Sequence, residues 1–268
     1  MLRYDLSTLA KRRVGTTVTL PPIRPTISSE VAYLRAERQV LKGMAGWARE
    51  QLIPAYEREV VRIFDGAIRD VEEWSWDAFE AYSSRLVEVA IGTVNRILRL
   101  EAARHTDKFM AAAKRALGVD LTAVVRENDL GNYIDLASSR SANLIQGLAD
   151  DTRKRIKDRT LQAVLSGETS KSYRKTLVED FGIADRRAQL IARDQIGKVT
   201  SDLNRIRHQQ AGVEEYIWTT AHDERVRSLH RSLDGRQYKY GESTGAEGGL
   251  PPGQPIRCRC IARGVVEF

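Results

Sequence analysis

Apolar residues recur every three to four positions along most of the chain, a spacing that places them on one face of an α-helix. The first such stretch starts at the N-cap candidates Ser28 and Ser29 and runs to Pro54, because proline ends or kinks a helix. The same spacing predicts further helices over residues 76–117, 133–166 and 170–180, and from Asp185 to a stop at Gly212.

The C-terminal part of the chain has a different pattern. Residues 213–220 are β-branched and aromatic, which is typical of a strand, and residues 260–268 predict another strand. Glycines and prolines crowd the segment between them and predict irregular loops. We therefore predict a mainly α chain with a C-terminal α+β domain, in which a long helical body precedes a compact tip with short strands. The expected parts are an arm at residues 1–27, a helical N-terminal region at 28–139 and a C-terminal domain at 140–268.

The N-terminal arm is basic. It carries five cationic side chains against Asp5 alone, in a chain whose formal charge is +7. Three prolines predict that the arm is extended. Its run of Lys11, Arg12 and Arg13 suits contacts with DNA phosphates or with an acidic partner surface. A basic surface that is simply solvated would account for the charge equally well.

Two features of the sequence bear on membranes and secretion. It has no uncharged apolar run of about 18 residues, so we expect no membrane-spanning helix. The first residues lack the apolar stretch of a secretory signal, so we expect the protein to mature in a cytoplasm.

Two cysteines, Cys258 and Cys260, are separated by one residue. This spacing strains a disulfide within the pair, and in a reducing compartment such a pair consists of metal ligands or of plain thiols. With His230 the cysteines would supply three of the four ligands of a structural Zn²⁺ site, and Asp223 or His222 would be the fourth. The alternative is a hydrogen-bonded histidine beside two buried thiols.

Several short motifs of the C-terminal part stand in a fixed order. They are Trp218, the stretch Asp223-Glu224-Arg225-Val226-Arg227 with His230, Leu233-Asp234-Gly235, Pro251-Pro252-Gly253 and Cys258-Arg259-Cys260, preceded by Leu144-Ile145-Gln146-Gly147 and Arg187-Ala188-Gln189-Leu190-Ile191-Ala192-Arg193. In these motifs the chain resembles the phage Mu F-like, or SPP1 gene 7-like, minor head (head morphogenesis) protein family. The likeness covers about residues 140–268. It departs from the family pattern at Asp194-Gln195, where many relatives have Thr-Glu.

The resemblance implies a minor capsid protein of a tailed phage, without catalytic residues, that assists head assembly and the packaging or delivery of DNA. The implied partners are the portal protein, the major capsid or scaffolding protein, and phage DNA bound without sequence preference. The implied location is the capsid interior near the portal, after assembly in the host cytoplasm. One alternative stays open, a metal-dependent enzyme acting on nucleic acid, because His222, Asp223, Glu224 and His230 offer acid, base and metal-ligating groups close together.

The motif residues also include two arginines and a turn. Arg225 and Arg227 alternate, so an extended segment would direct both side chains to one side, where they suit a DNA phosphate or a portal carboxylate. Pairing with nearby aspartates is the alternative. By the resemblance, some relatives have a cysteine where Arg227 stands, so this chain lacks that candidate ligand. Trp218, Asp234 and Gly235 are expected to be structural, with Gly235 in a turn that needs a positive φ angle.

Overall fold

A computed structural model describes residues 3–64, 74–126 and 130–268, without the side chains of residues 59–64. The helices of the described chain are α1 (Leu6–Leu9), α2 (Ile27–Trp47), α3 (Ile53–Phe64), α4 (Trp76–Leu117), α5 (Gly131–Ser166), α6 (Ser170–Gln210) and α7 (Ser228–Leu233). The strands are β1 (Thr17–Thr19), β2 (Glu215–Thr219), β3 (Gln237–Lys239) and β4 (Ile261–Glu267), and they form one antiparallel sheet in the order β1-β4-β2-β3. The prediction of a mainly α chain with a C-terminal α+β part is confirmed. Across the described ranges, no helix combines the length and the apolar character that spanning a membrane requires.

The helix boundaries differ from the predicted ones at two places. From the sequence we expect the first helix to end or kink at Pro54. The structure has a π-helical turn at Ala48–Leu52 just before this position, and α3 begins one residue before the proline. Proline is accommodated there because the π-helical turn before it already replaces the regular hydrogen-bond pattern that a proline would break. The predicted break before Asp185 is wrong, since α6 is continuous. The only glycine near the break, Gly182, costs about 1 kcal/mol in a helix interior, and the burial of Ala184 beside it offsets that cost.

The chain forms two compact units. The first, called the sheet unit, consists of the described residues of Met1–Glu30, Ile97–Ala137 and Arg193–Phe268. Its core includes Leu6, Leu20 and Ile23 of the basic arm, all of them buried. The arm also contributes β1, which pairs antiparallel with β4 at the edge of the sheet. The arm is therefore packed into the unit that contains the C-terminal motifs, a contact that its polar and proline-rich sequence does not reveal.

Two buried histidines of the sheet unit, His105 and His208, have uncharged hydrogen-bond partners. The Nδ1 atom of His208 lies 2.6 Å from the hydroxyl of Tyr240, and the Nε2 atom of His105 lies 2.9 Å from Oδ1 of Asn204. Burial lowers the pKa of His208 to about 3 and that of His105 to about 4, so both rings are neutral at pH 7. The ring of His208 packs on the backbone of β4 at Gly264, where a Cβ atom would lie 3.0 Å from two ring atoms.

The second compact unit, called the helical unit, consists of the described residues of Val31–Arg96 and Ser138–Ala192. Aromatic side chains fill part of its core. The rings of Tyr56 and Tyr173 stack with their centroids 4.2 Å apart, and those of Trp47 and Phe79 stack at 4.5 Å. The hydroxyl of Tyr56 donates to the backbone oxygen of Glu168 at 2.6 Å, just after the end of α5. This contact satisfies a carbonyl at the turn between two long helices.

The helical unit also contains a buried carboxyl group. Glu37 of α2 is fully buried, and among the residues that the structure describes neither of its carboxylate oxygens has a hydrogen-bond partner. Burial away from water disfavours the ionised form and raises the pKa of Glu37 to about 9. The side chain is therefore a neutral acid at pH 7.

Candidate metal centre

The turn Leu233-Asp234-Gly235 joins α7 to β3 and sets the geometry of the tip. Gly235 has a φ of 77°, as predicted for this turn, and its N–H donates to the backbone oxygen of Trp218 at 2.9 Å. The carboxylate of Asp234 accepts a hydrogen bond from the N–H of Thr220 at 2.7 Å. Both bonds hold the end of α7 against β2.

A small buried cluster lies beside this turn. It contains Trp218 of β2, Leu233 of α7, Ala246 of the glycine-rich loop and Cys260 at the start of β4. His230 packs against it, with its ring edge-on to the Trp218 indole at a centroid distance of 5.4 Å. The strand, the helix and the loop therefore bring the predicted histidine and the cysteine segment to one place, although 27 residues of chain separate them.

His230, Cys258 and Cys260 converge on a common point. The Nδ1 atom of His230 lies 3.5 Å from the sulfur of each cysteine, and the three donor atoms all lie within 4.8 Å of one another. Both cysteines are free thiols. Zinc bonds of about 2.3 Å to sulfur and about 2.0 Å to nitrogen at tetrahedral angles separate the two kinds of ligand by roughly 3.5 Å. The group has the donor types and the spacing to bind a metal such as zinc.

The two thiols differ in their protonation. The pKa of Cys258 is lowered to about 6, first by a hydrogen bond from the Cys260 thiol and then by N–H groups of Cys260 and Gly253, each 3.4 Å from its sulfur. The pKa of Cys260 is raised because its thiol donates to Cys258 and because it is buried. The indole of Trp218 acts in the opposite sense on Cys260. The lowered pKa favours the thiolate, the form that binds metals, at Cys258 rather than at Cys260.

Glu247 completes the surroundings of the histidine. Its Oε2 atom lies 2.6 Å from Nε2 of His230, on the side of the ring opposite the sulfurs, and its Oε1 atom accepts from Arg227 at 3.1 Å. The hydrogen bond to His230 is the main reason that the pKa of Glu247 is lowered. Arg227 also donates to the backbone oxygen of Ile256, two residues before Cys258. Sequence reasoning missed Glu247, since one acidic residue in a glycine-rich loop carries no recognisable signal.

The two candidates for a fourth ligand have other partners. The carboxylate of Asp223 forms a two-point ion pair with Arg259, the residue between the cysteines, and this pairing lowers the pKa of Asp223. The Nδ1 atom of His222 lies 3.5 Å from a carboxylate oxygen of Asp234, and its side chain is largely exposed. Within the described part of the chain, the group of candidate metal ligands contains neither of them. In this arrangement Asp223 instead fixes the position of the Cys-Arg-Cys segment.

The arginines and lysine expected to bind DNA or the portal lie at exposed positions. Lys11, Arg12 and Arg13 are all exposed, and Arg12 donates to the backbone oxygen of Ala116 at 2.7 Å, at the C-terminal end of α4. A cation at this end of a helix is favourable because the last carbonyls are otherwise unsatisfied. Arg225 lies 3.5 Å from Glu224 on the surface. Arg227, by contrast, belongs to the surroundings of His230.

A comparison with known protein families concerns the same part of the chain. Residues 154–263 match the model of a family described as Phage Mu protein F like protein, a range that includes His230, Glu247 and both cysteines. An uncharacterised protein of Haemophilus influenzae is 27% identical over 187 residues, which cover 69% of this chain and 40% of that protein. The chain therefore spans less than half the length of this relative. No solved structure matches the chain. Residues 154–263 thus carry the sequence features of the Phage Mu F-like family, which confirms the resemblance predicted from the C-terminal motifs.

Proposed function

We propose that the chain is a non-enzymatic minor head protein of a tailed phage, located in the capsid interior near the portal. In this role it assists head assembly and the packaging or delivery of DNA. The observation that carries the proposal is the family match over residues 154–263. Its partners would be the portal protein, the major capsid or scaffolding protein, and phage DNA. The proposed organisation is a basic arm (1–27), a helical region (28–139) and a head morphogenesis domain (140–268).

We further propose that His230, Cys258 and Cys260 hold a structural Zn²⁺ ion, with Asp223 as the candidate fourth ligand once it leaves Arg259. The buried cluster beside the site is small, and a metal that joins α7 to the start of β4 would stabilise it by closing a long loop. The expected content is about one zinc per chain. Chelation should lower the melting temperature of the wild-type protein.

The zinc proposal has a matched control in the chain. His230→Ala should lose the metal and should melt at the same temperature with and without chelator. His222→Ala, which changes an exposed histidine of the same tip, should keep the metal and the response to chelator. Equal zinc contents in the two variants would exclude His230 as a ligand.

For DNA, we propose the basic arm as the contact. Counterion release makes the affinity for duplex DNA fall as the salt concentration rises. In a plot of log affinity against log salt concentration, the slope steepens by about one unit for each phosphate that the protein neutralises. The double variant Lys11→Ala, Arg13→Ala should reduce that slope by about two, while Arg12 is kept because it caps α4. The control is Lys171→Ala with Lys175→Ala, two exposed lysines of α6. A slope reduced only in the control would place the DNA contact in the helical unit instead.

For the portal, the test is assembly in solution. Portal protein and this chain, produced together, should elute as one complex in size-exclusion chromatography. The charge reversal Arg225→Glu tests whether the exposed arginine of the tip contributes to the interface. Separate elution at every concentration used would contradict the proposed portal association.

One observation favours the alternative of a metal-dependent enzyme: three protein ligands leave a fourth position open, as catalytic zinc sites do. Against it, the nearby carboxylates of Asp223 and Glu247 are engaged in ion pairs, so neither is placed as a free general base. The zinc-loaded protein should therefore leave single-stranded and duplex DNA intact. Cleavage that disappears in His230→Ala would establish the enzyme instead.

A further inference from the structure

His230 has two ring nitrogens in different surroundings. Nδ1 faces the two sulfurs at 3.5 Å, whereas Nε2 faces the carboxylate of Glu247 at 2.6 Å. A carboxylate only accepts hydrogen bonds, so the ring nitrogen that faces it must carry a proton. Nε2 therefore holds a proton, and Nδ1, which faces the cysteines, is the nitrogen through which the ring can bind a metal.

From this geometry we propose that Glu247 is the positioning residue of the metal centre, and that Arg227 in turn holds Glu247. The inference rests on the proposed zinc site. Glu247 cannot itself be a ligand in this arrangement, because its carboxylate and the sulfurs lie on opposite sides of the imidazole ring. It acts through His230 by selecting the tautomer and the ring orientation that a metal requires.

The loop that carries Glu247 is built to hold the carboxylate in place. Glu247 opens a short 3-10 turn that ends at Gly249, and both glycines of this turn have positive φ angles. The hydroxyl of Thr244 donates to the backbone oxygen of Leu250 at 2.6 Å and closes the loop around the turn. The carboxylate is then fixed at both oxygens, one by His230 and one by Arg227.

Arg227 extends this arrangement to the cysteine side. It contacts Glu247 through one guanidinium nitrogen and the backbone oxygen of Ile256 through the other. One side chain therefore links the loop of the positioning carboxylate to the segment that leads into Cys258. Arg227, expected from the sequence to contact DNA or the portal, instead has its two contacts within the tip.

Zinc affinity, measured by competition with a chromophoric chelator, tests the inference. Glu247→Ala should lower the affinity by about 10–100-fold, as the loss of an outer-shell carboxylate does. Glu247→Gln should lose less, because its amide oxygen still accepts the Nε2 proton. Arg227→Met should show a smaller loss than Glu247→Ala. Glu242→Gln, an exposed carboxylate of the same loop, is the matched control and should bind as the wild type does.

A second readout needs no metal. In nitrogen-15 NMR spectra of the zinc-free protein, His230 should be the Nε2–H tautomer in the wild type and in Glu242→Gln, and a mixture of both tautomers in Glu247→Ala. A merely structural role of Glu247 would alter the melting temperature without this change. Wild-type affinity and an unchanged tautomer in Glu247→Ala would overturn the inference and leave the zinc site standing. A wild-type chain that binds no zinc would overturn the zinc site, and the inference with it.

Discussion

The buried carboxyl of Glu37 gives a quantitative prediction for the helical unit. Replacing it with glutamine keeps the shape of the neutral acid and removes its titration. The pKa is 4.5 in a solvated glutamate and about 9 in the folded chain, so between these values the folded state holds a proton that the unfolded state has released. The contribution of this group to stability is therefore complete below pH 4.5 and is lost as the pH rises through the folded pKa.

The size of the effect follows from the same two values. At about 1.4 kcal/mol per pKa unit, ionisation in the unfolded state lowers the free energy of unfolding at pH 7 by roughly 3 kcal/mol. Glu37→Gln should recover most of this amount. The gain of the variant over the wild type should grow by about 1.4 kcal/mol per pH unit between pH 5 and 8.

Urea unfolding of both proteins at four pH values in this range measures the difference directly. Glu88→Gln, an exposed carboxylate of α4, is the control and should change the free energy of unfolding by less than about 0.5 kcal/mol at every pH. A Glu37→Gln variant that is less stable than the wild type at pH 7, or a difference that does not change with pH, would contradict the assignment of Glu37 as a neutral acid. Either result would mean that Glu37 is ionised and paired in the folded protein.

Three further predictions concern other buried groups. Gly264→Ala should lower the free energy of unfolding by about 1–3 kcal/mol, because the new Cβ would lie 3.0 Å from the His208 ring. Chemical denaturation measures this change, and an unchanged free energy of unfolding would show that the ring can move. The folded pKa values of His105 and His208 lie below that of a solvated histidine, so stability should decrease as the pH falls from 6.5 toward 4. Over this pH range the melting temperature should fall less steeply in His105→Gln than in the wild type. Tyr56→Phe should cost about 1 kcal/mol through loss of the bond to Glu168, and unchanged stability would show that the bond contributes nothing.

Elements of the fold could be predicted from the sequence where a local pattern determines the structure. The apolar spacing predicted α4 and α5 closely, and the residue types around Trp218 predicted β2. The turn at Gly235 could be predicted because this kind of turn requires a positive φ angle, which glycine adopts readily. The continuous α6 was missed because tertiary packing offset the weak helix propensity at Gly182, which no local rule captures.

The site was predictable only in part. Its donors are residue types that bind metals wherever they meet, so His230 and the cysteine pair could be chosen from the sequence. Glu247 and Arg227 could not, because charged residues at the surface are common and their roles depend on how a loop folds back. The packing of the basic arm against the sheet was hidden for the same reason, since it depends on contacts between distant parts of the chain.

Cryo-electron microscopy of particles assembled with and without this chain tests whether it is a minor head protein near the portal. We expect additional density inside the shell beside the portal only in particles that contain the chain. Identical maps, together with absence of the chain from gradient-purified particles, would contradict the claim.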